Sequence, residues 1–305
     1  MNKLPEFIVV GAAKSGTTSV YETLIQQEKV FIPQIKECRF FSQMPRNFKG
    51  GLAAKFQNEG PRNIKEYLKL FEGKENLIKG DISNDYFYYY KKSIKNIKLH
   101  YQKLNQKYPK IIIFLRSPAE RVFSMYAMSI RLKSESLKFI DSFEKSEKRI
   151  HSNFSWTYDL KGVGLSYDAT NAYYENFEEV KVILTENLND DKTWSEIFDF
   201  LDIKNYSIIK SNSNVNHYSK PKSLILMRIF AFLQKLWLKN KKFLNKTPFI
   251  LKHFKNLLKK LDKINSMGRN LKLSKKDKDF LIRFYKSDIN KLSKLINSDL
   301  KNWLK

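Results

Sequence analysis

An α/β fold built on a central parallel sheet is predicted by three features of this 305-residue chain. Short runs rich in β-branched residues, at 7–10, 77–80, 110–115 and 181–185, alternate with helical patterns, as strands joined by crossovers do. The run FIVVGAAKSGTTSVYETLIQQ at 7–27 sets a turn of Gly, Ser and Thr between a strand and a helix. The run KIIIFLRSPAERVFSMYAMSIR at 110–131 repeats that plan with an arginine at the end of the strand.

In chain order, the first strand leads into Gly11 and Gly16, which permit a tight turn where backbone N–H groups converge. The helix expected over 17–27 adds its positive dipole end to the same space. Lys14 contributes a full charge, and Ser15, Thr17, Thr18 and Ser19 contribute hydroxyls. Together they describe an anion-binding loop suited to phosphate. The nucleotide-triphosphatase pattern G-x-x-x-x-G-K-[ST] requires lysine directly after the second glycine. Here Thr17 stands there and Lys14 lies before Gly16, which argues against an ordinary ATP or GTP site.

Residues 42–62, with Pro45, Gly50, Gly51, Gly60 and Pro61, read as a long irregular loop. Helices are expected at 63–71 and 93–106, on either side of the strand at 77–80. The strand at 110–115 delivers Arg116 to its carboxyl end. Ser117 and Glu120 have capping-box spacing, and Pro118 takes the first helical position. Ser124 follows two turns on, so its hydroxyl can share the face that begins at the cap. Further helices are expected at 118–132, 140–150, 168–178 and 193–201. From residue 223 the chain reads as helical and lysine-rich. The apolar stretch 224–238, interrupted by Arg228, Gln234 and Lys235, suits either an interfacial membrane helix or a helix buried in the core. The last segment, with Leu281, Phe284, Ile289, Leu292 and Leu295, reads as core-packing.

Lys and Arg number 57 against 31 Asp and Glu, a formal charge of +26. Such a balance attracts acidic ligands or surfaces, and it is equally the mark of a solvated, lysine-rich exterior. A single cysteine, Cys38, excludes an internal disulfide framework and a cysteine-rich metal site, and fits a reducing compartment. His100, His151, His217 and His253 show no metal-ligand spacing, so no metal is expected. The segment MNKLPEF runs straight into the first strand without a secretory pattern, and no run approaches the ~20 apolar residues of a membrane span. A cytoplasmic location follows as the expectation, with peripheral contact at the inner membrane face through 224–238 left open.

The sequence K-S-G-T-T after a strand resembles the 5′-phosphosulfate loop of sulfotransferases that use 3′-phosphoadenosine 5′-phosphosulfate (PAPS). Arg116, Pro118, Glu120 and Arg121, with Ser124 downstream, resemble the 3′-phosphate motif of the same family. Two phosphate-type turns about a hundred residues apart suit a ligand with two separate phosphate groups. The resemblance extends to K-E-C-R-F-F at 36–41, similar to a segment of glycosaminoglycan and bacterial carbohydrate sulfotransferases, and to G-D-I-S-N-D-Y-F at 80–87. It continues through V-I-L-T-E-N-L at 182–188, the K-P-K-S run at 220–223 and D-L-K-N-W-L at 299–304.

That resemblance implies a P-loop-like three-layer α/β/α fold in one domain, 1–305, whose helical C-terminal part is 223–305. It implies sulfuryl transfer from PAPS to a hydroxyl or amine, with a carbohydrate or glycan as acceptor, adenosine 3′,5′-bisphosphate as product and no metal. Lys14 and Glu37 are then the catalytic residues. Lys14, Ser15, Gly16, Thr17, Thr18, Ser19, Arg116, Ser124 and Lys220 hold the cofactor, and Lys36, Asp81 and Ser83 meet the acceptor, with Phe40 and Phe41 packed behind. The chain departs from the family pattern at Ile82, where many relatives have lysine, at Asn84, where they have proline, and at Ser166, with Tyr167 one place late. The alternatives are a P-loop nucleotide kinase or NTPase, and a non-catalytic basic polyanion binder. No compact nucleic-acid motif is present, so no nucleic-acid partner is expected.

Overall fold

Among the described residues, five parallel strands form one sheet in the order β2-β3-β1-β4-β5. They are β1 Phe7–Gly11, β2 Val30–Phe31, β3 Ile78–Ile82, β4 Lys110–Leu115 and β5 Val180–Leu184. The computed structural model describes residues 3–204, 206, 208 and 271–305, so the expected contact of Lys220 and the apolar stretch 224–238 lie outside the described residues.

Side-chain alternation along the strands builds two cores. Ile8, Val10, Ile111, Ile113 and Leu115 face one side, and Phe7, Val9, Ile112, Phe114 and Ile183 face the other. The second face is covered by α1 Thr17–Leu24 through Val20 and Leu24, and by α10 Asp191–Phe200 through Trp194, Ile197 and Phe198. The first face is covered by α4 Tyr90–Lys103, α5 Pro118–Arg131, α9 Tyr167–Asn176 and the C-terminal helix Lys275–Leu295. The result is the three-layer α/β/α arrangement expected from the sequence.

Register explains where the site opens. β1 pairs with β3 through Phe7↔Gly80 and with β4 through Phe7↔Lys110, and the ladder with β4 slips between Val9 and Gly11. This bulge turns the chain out of the sheet at Gly11, while Ala12 N–H still donates to the Phe114 carbonyl at 2.8 Å. The crossover leaving β1 leads toward β2 and β3, whereas the one leaving β4 leads toward β5. Adjacent strands whose connections diverge leave a crevice at their carboxyl ends.

The structure also differs from the sequence reading in places. β2, of two residues, pairs with β3 through Val30↔Ile78 and was not expected. The helix expected over 140–150 is two helices, α6 Phe139–Glu144 and α7 Ser146–His151. Ser146 at the break is buried, and its hydroxyl accepts the Leu160 N–H at 3.1 Å, holding the start of α8 Leu160–Gly164. In the C-terminal helix Leu281, Ile289 and Leu292 are buried as expected, while Phe284 is exposed and Tyr285 takes the core position instead. The Tyr285 hydroxyl is 2.9 Å from the Leu160 and Lys161 carbonyls. Among the described residues no helix is long and apolar enough to cross a membrane.

Candidate active site

The loop after β1 turns at two glycines of positive φ, Gly11 and Gly16, each packed closely against protein atoms. A Cβ at Gly11, whose φ is +134°, would meet Phe87 Cβ at 2.9 Å and the Asn84 carbonyl at 3.0 Å. At Gly16, with φ +81°, it would meet Leu188 Cδ1 at 2.9 Å. Gly16 caps α1 without a side chain, and the first turn of α1 carries no acidic residue, so that turn does not itself neutralise the positive helix end. Thr185, just after β5, braces the loop: its hydroxyl is 3.1 Å from the Ser15 carbonyl and 2.9 Å from that of Leu115.

This loop forms one wall of a cleft of about 1060 Å³. Lys14, Gly16, Thr17, Thr18, Ser19, Lys36, Glu37, Arg116 and Ser124 all line it. Ser15 is fully buried beneath the loop, and its hydroxyl finds no partner among the described residues. Lys14 Nζ lies 3.5 Å from Met128 Sδ on α5, reaching across the cleft. Lys36 Nζ donates to Thr18 Oγ1 at 2.6 Å, which ties the K-E-C-R-F-F segment to the first turn of α1. Burial pulls the Lys36 ammonium below the usual lysine range, and Lys14 acts in the same direction while Glu37 and Glu22 oppose it.

Glu37 has both carboxylate oxygens occupied by donors: Arg39 Nη2 at 2.9 Å on one and Asn84 Nδ2 at 2.8 Å on the other. Its backbone is left-handed, φ +65°, and its N–H donates to the Ile82 carbonyl at 3.0 Å. Ile82 is therefore a core side chain whose carbonyl positions Glu37. Phe40 and Phe41 lie behind this turn, both buried, with Phe40 stacked on Tyr67 at 4.4 Å between ring centres.

At the other end of the cleft Arg116 Nε donates to Glu120 Oε2 at 2.6 Å. The expected capping box is not formed: Ser117 makes no side-chain bond to the helix, and the Glu120 carboxylate accepts from Arg116. Pro118 does occupy the first helical position, and Ser124 lies buried on the cleft-facing side of α5.

Two expected acceptor contacts, Asp81 and Ser83, are not brought to the cleft. Asp81 is fully buried and accepts from Tyr67 and Tyr86 hydroxyls and from Ser83 Oγ, each at 2.8 Å. Burial raises its carboxyl above the usual range despite those donors. Ser83 Oγ in turn accepts the Arg39 N–H at 3.2 Å, so the pair shapes the turn that carries Glu37.

Sequence reasoning missed Arg39, Asn84, Thr185 and Trp156, all of which line the cleft. Arg39, Asn84 and Thr185 lie inside the runs K-E-C-R-F-F, G-D-I-S-N-D-Y-F and V-I-L-T-E-N-L, and that membership was the available signal. The departure at Ser166 acquires a structural account: its hydroxyl accepts from Arg121 Nη1 at 2.7 Å, and its N–H donates to Asp288 at 2.9 Å.

No protein-family model and no curated protein matches the chain. Among solved structures, a sulfotransferase from Alicyclobacillus acidocaldarius is 25% identical, with a TM-score of 0.73 over 99% of this chain and 100% of that one. The sulfotransferase domain of the curacin biosynthetic pathway is 16% identical, covering 66% of this chain and 75% of its own at a TM-score of 0.39. That of the Synechococcus olefin synthase is 15% identical, covering 66% and 74% at 0.37. These two overlays are too loose to carry weight. The end-to-end likeness to the Alicyclobacillus enzyme establishes the α/β sulfotransferase fold and supports a place for this chain in the sulfotransferase superfamily.

Proposed function

We propose that the chain is a PAPS-dependent sulfotransferase acting on a hydroxyl or amine of a carbohydrate-like acceptor. The observation that carries this reading is the convergence of two cationic turns, one after β1 and one after β4, on a single cleft. The donor set fits a ligand with two phosphate ends. Lys14, the α1 N-terminus and Thr17, Thr18 and Ser19 would hold the 5′-phosphosulfate, and Arg116 and Ser124 the 3′-phosphate. The loop glycines let the turn pack closely against Phe87, the Asn84 carbonyl and Leu188, which holds its backbone amides in place. When bound, PAPS supplies a sulfuryl group whose S–O bond to the 5′-phosphate breaks with the electron pair leaving on the phosphate oxygen.

Lys14 and the loop amides would face the oxygen on which charge builds, where preorganised donors lower the barrier. Glu37 accepts the acceptor's proton as its oxygen or nitrogen bonds to sulfur. Arg39 and Asn84 fix the carboxylate for that task. Lys36, tied to Thr18, stands between the phosphosulfate end and Glu37. The single domain over 1–305 and the Lys220 contact belong to the same proposal. A nucleotide kinase is less well supported, because Thr17 stands where its lysine would be.

Calorimetric titration with adenosine 3′,5′-bisphosphate, and with ATP and Mg²⁺ in competition, tests the reading. Bisphosphate binding that Arg116→Ala weakens is expected. A well-folded protein that binds ATP but not the bisphosphate would refute it.

A further inference from the structure

A second cavity, of about 270 Å³, adjoins the cleft and shares Ala13, Asn84 and Trp156 with it. We propose that this cavity seats the acceptor, and that the acceptor presents a single uncharged, hydroxyl-bearing ring there. The proposal rests on the sulfotransferase reading above and deepens it.

Unmet hydrogen bonding in the cavity wall is the first ground. Asn84, Arg121 and Trp156 are each at least nine-tenths buried, and each has a polar atom without a partner among the described residues: Asn84 Oδ1, Arg121 Nε and Trp156 Nε1. Buried polar groups are paired in the great majority of cases, and three unpaired ones around one cavity call for a ligand that pairs them. The Arg121 terminal nitrogens are already committed to neutral acceptors, Ser166 Oγ at 2.7 Å and the Val163 carbonyl. Its orientation is therefore fixed.

The chemistry of the wall selects the ligand. Arg121 and Trp156 offer N–H donors, while Asn84 Oδ1 and the Asp168 carboxylate offer acceptors, and Asp159, whose oxygens already accept from the Tyr88 hydroxyl at 2.7 Å and the Gly162 N–H at 2.9 Å, adds negative charge to the wall. A hydroxyl both donates and accepts, so several hydroxyls on one ring can satisfy both kinds. A carboxylate or phosphate only accepts, and it would meet two aspartates against one arginine. An ammonium only donates and leaves Arg121 and Trp156 unpaired. Phe87, Tyr88, Tyr90 and Trp156 supply the apolar faces on which the C–H surface of a saturated ring packs. The volume admits about one such ring and lies just under the ~300 Å³ lower bound of drug-sized pockets. Asn84 links the cavity to chemistry: its amide nitrogen holds Glu37 at 2.8 Å while its oxygen has no protein partner, so a ring hydroxyl paired with Asn84 sits next to the proposed base.

The test uses the full chain and saturation-transfer NMR with methyl β-glucopyranoside, methyl β-galactopyranoside and myo-inositol as probes, with benzoate as the anionic competitor. Adenosine 3′,5′-bisphosphate binding is read separately by calorimetry. Transfer to the ring protons of at least one polyol is expected in the wild type. Ala169→Leu, which fills one wall, and Leu165→Trp at the exposed rim should each abolish it while leaving bisphosphate affinity unchanged. Trp156→Phe, which keeps an aromatic face and removes the N–H, should weaken the polyol about fivefold, the equivalent of one neutral hydrogen bond. Leu165 is exposed, so its substitution reports even where Ala169→Leu fails to fold. The proposal is overturned when no polyol receives saturation from bisphosphate-competent protein, when benzoate displaces the polyol, or when the two filling variants leave its signal unmoved. Loss of bisphosphate binding in the wild type instead refutes the parent reading, and the filling variants still decide the cavity.

Discussion

Asp85 offers a quantitative test of how the floor of the site is built. It opens the short helix α3 Asp85–Tyr88 directly after Asn84, is fully buried, and has no hydrogen-bond partner for either carboxylate oxygen among the described residues. Ser42, beside it, donates its hydroxyl to the Arg39 carbonyl at 3.1 Å instead. Burial lifts the Asp85 carboxyl from its ordinary 3.8 to about 7, with the Glu37 charge adding to the rise and Ser42 and Arg39 opposing it. Between those two values the native state holds a proton that the unfolded chain has released. Stability therefore falls as pH rises from about 4 to about 7 and is level above that. At 1.36 kcal/mol per tenfold change in proton affinity, the whole interval amounts to roughly 4 kcal/mol.

Asp85→Asn removes the titration with a side chain of the same shape. Urea denaturation of both proteins at several pH values from about 5 to about 8 isolates the effect, because the acid-induced repulsion of a +26 chain is common to both and cancels in the difference. The stability of the variant relative to the wild type should rise by about 2–3 kcal/mol across that range. A difference that stays constant to within about 0.5 kcal/mol would refute a neutral, buried Asp85.

The remaining predictions concern the cleft. Lys14→Ala should lower kcat by about 10²–10³ while bisphosphate affinity changes much less, and equal small effects on both would remove Lys14 from its role. Arg116→Ala should act the other way, raising the bisphosphate Kd by the ~1.5–3 kcal/mol of a charged hydrogen bond, as read by calorimetry. Glu37→Gln should cut turnover by about 10²–10⁴ with bisphosphate binding intact, and retained turnover would exclude it as the base. Gly16→Ala should cost about 1–2 kcal/mol from its positive φ, with more from the Leu188 contact, measured by denaturation.

The features legible in the sequence were those whose cause is local. The strand at 110–115 and the helix beginning at Pro118 were read correctly because β-branched content and proline at the first turn act within a few residues. Half of the box expected at Ser117 is lost because the Glu120 carboxylate takes the charged Arg116 as its partner over a backbone amide; for the missing Ser117 side-chain bond the structure offers no cause. Asp81 and Ser83 follow a strand, and spacing alone sends them toward an acceptor. Strand alternation instead turns Asp81 onto the face where Tyr67 and Tyr86 wait, and neither tyrosine is marked in sequence as its partner. Val30 and Phe31 both favour strands, but a two-residue β2 is too short to read without the edge of β3 beside it.

The site was partly legible for a different reason, which is topological. Lys14 and Arg116 lie about a hundred residues apart in sequence, yet each follows one of two adjacent strands, β1 and β4. With α1 on one face of the sheet and α5 on the other, the two turns diverge and leave the crevice between them. Any two strand–turn–helix units at such a switch point converge their loops, so a pair of phosphate-type turns is enough to place both ends of a ligand. Nothing comparable specifies the acceptor side. Asn84, Arg121, Trp156 and Asp159 come from three separated stretches of chain and meet only through packing of α3, α5 and α8. The proposed cofactor end is accordingly written in motifs, whereas the proposed acceptor end is written in tertiary contacts, and it is there that the cavity experiment has the most to decide.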